Sequence, residues 1–320
     1  MDKEQERGGE TPPAIETAGL CKRFGTVEAV ADLTLRVDSG TLFGLVGPDG
    51  AGKSTAIRLL CGLLRPDGGS ARVLGLELPR ESEAVKRRIG YLSQNFTLYG
   101  DLTVDENIEF FARIHGVRDI VKRRTELLNF TRLHPFRTRL AQDLSGGMKK
   151  KLALACTLIH TPDLILLDEP STGVDPVSRG EFWNILSSVL DQGVTVLLTS
   201  PYLDEADRCH RVALMYGGRV VQSGTPDEIK ASMPGALYEI ACPDPASAYR
   251  VLREQWSATQ VVLLGDRLRV HCNDEQDLRR LRERSARPDI RATRVEPIEA
   301  GLEDAFVALV ERMETEERSA

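Results

Sequence analysis

Nine consecutive residues constrain this chain more than any other feature: Gly47, Pro48, Asp49, Gly50, Ala51, Gly52, Lys53, Ser54 and Thr55. They fit the pattern G-x-x-x-x-G-K-[ST], follow the apolar run Leu42–Val46, and open an amphipathic segment through Ile57, Leu60 and Leu64. A strand, a glycine turn and a helix in that order are the context in which the pattern builds a phosphate-binding loop. Glycines let successive backbone N–H groups curl around phosphate oxygens without a side-chain clash. Lys53 is then placed to reach the β- and γ-phosphates of a nucleotide, and the Ser54 hydroxyl to ligate Mg2+. The positive end of the helix adds to the same potential. A glycine turn can also fit the pattern by chance, and partners elsewhere in the chain must decide.

The surroundings point to an α/β fold. From Ile15 to Ser232, apolar runs such as Leu164–Leu167 and Val194–Leu198 alternate with amphipathic helices. That alternation belongs to a largely parallel, buried sheet. Thr103 and Glu106 read as a capping box ahead of Ile108, Phe111 and Ile114. A second box, Thr225 to Glu228 with Pro226 at the first helical position, is expected to close the first domain. Composition shifts after Met233, Pro234 and Gly235. The tail reads as strand 237–241, helix 245–255, a hairpin at Gly265–Asp266, helix 274–284, strand 290–295 and helix 302–313. This βαββαβ order suggests a small ferredoxin-like α+β module. The expected organisation is a flexible leader over 1–14, a nucleotide-binding domain over 15–232 and an accessory domain over 236–320.

Composition excludes several alternatives. Lys+Arg 42 against Asp+Glu 48 leaves −6, too mild a balance to imply a nucleic-acid binder. No apolar stretch approaches the roughly 18 residues of a membrane helix. The first ten residues lack the apolar core of a secretory signal. The six cysteines are scattered without C-x-x-C pairs or zinc spacing, and read as reduced thiols. Any membrane role must be borrowed from a partner chain.

Two further stretches supply the partners the loop needs. Asp168 and Glu169 end the apolar run Leu164–Leu167, where Asp168 can hold a metal and Glu169 can polarise an attacking water. Leu144, Ser145, Gly146, Gly147 and Met148 precede a helix with Leu152, Ala155 and Ile159 on its apolar side. Ser145 is a natural N-cap, so its hydroxyl and the glycine N–H groups can meet an anion; alone, the stretch is equally a capped helix with a loose entry. Together the three elements resemble the ATP-binding-cassette (ABC) proteins, whose signature usually reads LSGGQ; Met148 stands at the glutamine. The resemblance covers about Ile15 to Ser232 and implies a P-loop NTPase cassette with a parallel sheet core, an antiparallel subdomain and a helical subdomain. It implies ATP and Mg2+ as ligands, with Ser54, Gln94 and Asp168 at the metal and Glu169 and Gln94 as catalytic residues. Phe24 resembles the aromatic that stacks on adenine, unless it is ordinary core. Gln94 resembles the glutamine that senses the γ-phosphate, unless it is a surface amide. Asp175 resembles the aspartate that organises the seam between two cassettes.

Beside Met148, a second and weightier position departs from the family. Where a histidine normally contacts the γ-phosphate, this chain has Pro201, within Thr199-Ser200-Pro201-Tyr202. Proline offers neither a side-chain donor nor a backbone N–H. Loss of one preorganised donor costs, by analogy, about 10²–10³-fold in rate. The expectation is slow hydrolysis at the chain's own site, unless Ser200 or Tyr202 substitutes or the role is dispensable.

The resemblance also implies partners. Two cassettes sandwich two ATPs, each between one chain's P-loop and the other's signature. An intact signature beside a defective histidine position suits a heterodimer more than a homodimer. A membrane-spanning permease is expected as well, with the chain cytoplasmic and peripheral on the inner face of the membrane and no nucleic-acid partner. The stretch 95–99, leading to Phe110 and Phe111, resembles the groove that receives a coupling helix, unless these aromatics are local core. Residues 113–151 carry eleven Lys/Arg against three Asp/Glu. They form either a basic lobe facing lipid or the membrane partner, or a solvated helical face. The flanking stretches and the appendix resemble the branch exporting drugs, lipids or polysaccharides, in particular the first half of tandem-cassette members. A soluble ABC ATPase acting on ribosomes or DNA fits less well, because only 97 residues separate Gly47 from Leu144 and no heptad run occurs. A regulatory cassette that binds ATP without hydrolysis fits Pro201 but not the intact Lys53, Asp168 and Glu169.

Overall fold

The computed structural model describes residues 12–95, 98–257 and 259–319. In the first unit, β1 (Ile15–Phe24) and β2 (Val27–Val37) pair antiparallel with β4 (Gly68–Val73) and β5 (Leu76–Leu78), in the order β2-β1-β4-β5. A second sheet has the order β10-β9-β3-β8-β7-β6. Its strands are β3 (Leu42–Val46), β6 (Ile89–Leu92), β7 (Leu164–Asp168), β8 (Thr195–Ser200), β9 (Arg211–Tyr216) and β10 (Arg219–Gly224). From β9 to β6 every pairing is parallel. Every residue of β3, β7 and β8 is buried, because a parallel strand is covered on both faces. That is why these three read as unbroken apolar runs.

One core ties the two sheets together through α1 (Lys53–Leu60). Ile15, Leu20 and Leu33 of the antiparallel sheet join Phe43, Leu45, Leu164 and Leu197 of the parallel one, with Ile57 and Leu60 of α1 among them. Each such buried side chain contributes roughly 1.5–3 kcal/mol. The loop between β3 and α1 is therefore anchored at both ends.

Helices α2 (Ser82–Arg88), α3 (Val104–Ile114), α4 (Ile120–Phe130), α5 (Gly146–Thr157), α6 (Pro176–Leu190) and α7 (Leu203–Ala206) complete this unit. Both halves of the Thr103 capping box form: Glu106 N donates to Thr103 Oγ1 at 3.2 Å and Thr103 N to Glu106 Oε2 at 2.7 Å. The apolar face of α3 is narrower than expected, since Ile108 is buried but Ile114 is exposed. Asn107 takes a buried place there, its amide donating to Tyr99 O, Leu102 O and Thr103 O. Several cations of the basic stretch are paired internally: Arg113 with Glu109, Arg124 with Asp105 and Glu109, Arg137 with Asp105 and Lys151 with Glu181. All those carboxylates lie outside 113–151, so counting charge within the segment overstated its free positive charge. Phe96 and Thr97 of the expected groove lie outside the described residues, as does most of the expected leader. Ala14, its last residue, is buried and bonded into the sheet, donating to Val37 O at 2.8 Å.

The second compact unit begins at Gly224, not near 232. Helix α8 (Pro226–Ala231) packs against α11 (Leu302–Ser319), so the Thr225 capping box opens this unit instead of closing the first. Strands β11 (Ala236–Ala241), β12 (Val261–Leu264), β13 (Arg267–Cys272) and β14 (Arg294–Ile298) form an antiparallel sheet in the order β12-β13-β11-β14. With α9 (Pro245–Leu252) and α10 (Glu275–Ser285) this is the split βαββαβ arrangement of a ferredoxin-like module. Its own core includes Ile240, Leu252, Trp256, Leu268, Val270 and Leu281. The last strand starts four residues later than expected, because Ile290 enters the core from the preceding loop. All six cysteines stand as free thiols. No helix among the described residues is long and apolar enough to cross a membrane.

Candidate functional site

The glycine loop runs from Gly47, after β3, to Gly52, which caps α1 with φ 100°. Lys53 folds back over it: its Nζ donates to Gly47 O at 2.7 Å and Pro48 O at 2.9 Å, and lies 3.8 Å from Glu169 Oε1. Burial pulls the ammonium below the ordinary lysine value, and the charges of Glu169, Asp49 and Asp168 oppose that pull. A covered cation, held by main-chain carbonyls and within reach of a carboxylate, is suited to exchange those carbonyls for phosphate oxygens.

Parallel pairing brings the carboxylates to the same place. Strand β7 neighbours β8, and Asp168 pairs with Thr199 in register. Asp168 is fully buried; its Oδ1 accepts from Ser54 Oγ at 2.8 Å and from Thr199 Oγ1 at 2.9 Å. Its Oδ2 is buried with no hydrogen-bond partner among the described residues. An orphaned carboxylate oxygen beside a serine hydroxyl is a donor set that fits a hard cation such as Mg2+. Among the described residues no group of three or more His, Cys, Asp or Glu could hold a metal, so phosphate and water oxygens would supply the remaining ligands.

Glu169 follows with φ 49°, a left-handed backbone for a side chain with a Cβ. Its N–H donates to Thr199 Oγ1 at 3.0 Å, and its Oε2 accepts from Gln94 Nε2 at 2.8 Å and Thr172 Oγ1 at 3.4 Å. Gln94 is therefore no idle surface amide. Sequence reasoning missed Thr199, although a polar residue in the apolar β8 run was a signal. It also missed Lys150, whose Nζ donates to Gln94 O at 3.4 Å. Burial lowers the Lys150 pKa, with Glu169 and Asp168 opposing.

The signature residues gather elsewhere. Ser145 caps α5, its Oγ accepting from Met148 N at 3.3 Å. A Cβ on Gly147 would lie 2.3 Å from Ser178 Oγ, and one on Gly146 would lie 3.9 Å from Gly173 O. Asp175 caps α6 by accepting from Val177 N and Ser178 N, bonds that hold its carboxyl below the usual range, those from Ser178 most of all. Signature and Asp175 thus form one surface at the starts of α5 and α6. Phe24 is 49% exposed, so it is not core, and it carries Lys22 Nζ 5.6 Å from its ring centre. Its exposed ring is suited to stacking.

At the divergent position, Ser200 is buried and committed: its Oγ donates to Glu205 Oε2 at 2.7 Å and accepts from Tyr202 N at 3.0 Å. Tyr202 is partly exposed under the Arg179 guanidinium, 5.1 Å from its ring centre.

Comparisons with known proteins bear on the family and the fold. Residues 30–172 match the ABC transporter family. The chain is 42% identical over 252 residues to the "Daunorubicin/doxorubicin resistance ATP-binding protein DrrA" of Streptomyces peucetius, covering 77% of this chain and 76% of that one. It is 37% identical over 304 residues to the "Nod factor export ATP-binding protein I" of Paraburkholderia xenovorans, covering 93% and 97%. It is 43% identical to "Probable multidrug ABC transporter ATP-binding protein YbhF" of Escherichia coli, but spans only 39% of that relative's length. A solved ATP-binding subunit of an ABC transporter superposes with a TM-score of 0.62 at 29% identity, covering 68% of this chain and 92% of that one. A glycine loop carrying Lys53, the buried Asp168–Glu169 pair and relatives aligned over most of both chains lead to one statement: the chain belongs to the family of ABC transporter ATP-binding proteins.

Proposed function

We propose that this chain is the ATP-hydrolysing subunit of a membrane exporter, acting on the inner face of the cell membrane with a separate permease and a second cassette. The observation that carries the reading is the placement of Glu169, bonded to Gln94 and 3.8 Å from a Lys53 that already rests on the phosphate loop. Loop N–H groups and Lys53 bind the phosphates, and Phe24 stacks on the base. Ser54 and Asp168, with Gln94 alongside, would hold Mg2+, which when bound would supply charge neutralisation at the phosphates. Glu169 takes the proton of the attacking water, and Gln94 orients that carboxylate toward it. The exporter assignment is supported by relatives named for drug resistance and Nod factor export.

At Pro201 the chain's own site lacks a donor, and Ser200 is tied to Glu205. This supports slow turnover there, with the Ser145–Gly147 surface completing a faster site on a different cassette. A heterodimer follows more naturally than a homodimer. The test is steady-state ATPase activity of the chain alone, of Pro201→His, and of the chain mixed with a related cassette that retains histidine at the position of Pro201. We expect low activity alone, a gain approaching about 10²-fold on Pro201→His, and stimulation by the partner. Brisk turnover alone, unchanged by Pro201→His, would refute the degenerate site. No turnover in any of the three would refute the ATPase reading.

A further inference from the structure

We infer that Thr199 is the positioning residue of this site: one buried hydroxyl selects which oxygen of Asp168 is left for the metal and holds Glu169 in its left-handed conformation. The inference rests on the Mg-ATP reading above and names a residue that reading does not use. Thr199 is fully buried at the end of β8, in register with Asp168. A threonine hydroxyl has one proton to give and two lone pairs to accept with. Here the proton goes to Asp168 Oδ1 at 2.9 Å, and a lone pair receives the Glu169 N–H at 3.0 Å. Both roles of the hydroxyl are therefore spent on adjacent residues with different tasks.

The first bond works by division. Oδ1 of Asp168 takes both protein donors, Thr199 and Ser54, and the buried Oδ2 takes none. The rotation of the carboxylate is fixed, and the oxygen that remains is set before a cation arrives. Preorganisation of this kind moves the cost of orienting a ligand from binding to folding. The second bond works on the main chain. Glu169 holds φ 49°, which persists only where the surroundings over-determine it. Its N–H anchored on Thr199 and its carboxylate on Gln94 are two such restraints, 30 and 75 residues away in sequence.

A purely structural role for Thr199, as a strand-end contact whose methyl fills space, predicts a different mutational order. Thr199→Val keeps the shape and removes the hydroxyl, whereas Thr199→Ser keeps the hydroxyl and opens a small void. If packing is what matters, Ser is the more damaging change; if positioning matters, Val is.

The experiment measures binding of a fluorescent ATP analogue to the full chain across a Mg2+ titration, and amide hydrogen exchange at Glu169 without nucleotide. For Thr199→Val we expect the Mg2+ concentration for half-maximal tightening to rise about tenfold, with Mg2+-free affinity within about twofold of wild type. Exchange at the Glu169 amide should quicken by about tenfold or more. Thr199→Ser should resemble wild type in both. Thr199→Cys, which matches Thr199→Ser in shape but is only a weak donor, should follow Val and, compared with Ser, stands in for it should Val fail to fold. A wild-type Mg2+ response in Thr199→Val, or equal loss in Thr199→Ser, would overturn the inference. A wild type whose ATP binding ignores Mg2+ would defeat the Mg-ATP reading and the metal half of the inference together. The exchange measurement would then still decide whether Thr199 holds Glu169.

Discussion

Gly50 and Gly52 share a left-handed backbone, at φ 80° and 100°, but differ in what surrounds them. A Cβ on Gly50 would meet nothing within 4 Å, whereas one on Gly52 would lie 2.1 Å from Ala29 O. Gly50→Ala should therefore cost only its conformational penalty, about 1–2 kcal/mol. Gly52→Ala should cost clearly more, because main chain must move. Urea denaturation of the two variants checks this; equal midpoints would contradict it. Gly47 belongs with Gly52, since its Cβ would sit 2.0 Å from Met215 O. The glycines were legible in the sequence as a candidate phosphate loop. That two of the three are also demanded by packing was not, because Ala29 and Met215 belong to other strands. Thr199 stood out in the sequence only as a polar residue in an apolar run; what it bonds was illegible for a related reason, because a lone threonine in a strand says nothing about its neighbour until the register is known.

Among the elements, β6 meets the helical lobe through a pair of histidines. His115 caps the C-terminus of α3 and His160 follows α5; their rings stack at 4.0 Å with 5° between planes. His160 Nε2 meets Ile89 O at 2.9 Å, at the start of the strand that leads to Gln94. They line a pocket of about 180 Å³ with Cys61, Leu63, Lys86, Tyr91, Phe111 and Cys156, and no carboxylate among the lining residues offsets a charge there. Burial holds both imidazoles below their ordinary value; for His160 the neighbouring His115 and Arg123 add to this, and Ile89 O opposes it. The folded chain therefore favours neutral rings, and the unfolded chain binds more protons below the ordinary imidazole pKa of about 6.5. Stability should be level above that pH, fall as pH drops through it, and level again below the lowered folded values. Thermal melts between pH 8 and 5 test this, and His115→Phe, which keeps a stacked ring, should shallow the acid slope. An unaltered slope would show that the pair does not carry the dependence. The capping boxes at Thr103 and Thr225 were visible in the sequence because their partners lie three residues apart; these histidines, 45 apart, were not.

At the scale of the whole molecule, each compact unit has core residues of its own among the described residues, Phe43, Ile57 and Leu197 in the first and Ile240, Trp256 and Val270 in the second. Calorimetry of the intact chain should accordingly show two unfolding transitions. Mg-ATP should raise only the one belonging to the first unit, by about 2.7 kcal/mol at a hundred times its dissociation constant. A single transition that moves as a whole with nucleotide would show that the units unfold together.

What the sequence determined by itself is whatever depends on near neighbours. The phosphate loop, the Asp168–Glu169 pair, the Ser145 cap and the βαββαβ order are written in residues a few positions apart, where backbone geometry alone carries the inference. Tertiary structure decided what depends on which strands lie side by side. It placed α8 with the second unit, tied Ser200 to Glu205, and brought Thr199 between Asp168 and Glu169. The physical reason is that a parallel sheet joins strands only through long crossovers. Register across it is set by packing of the whole core, which no local pattern encodes.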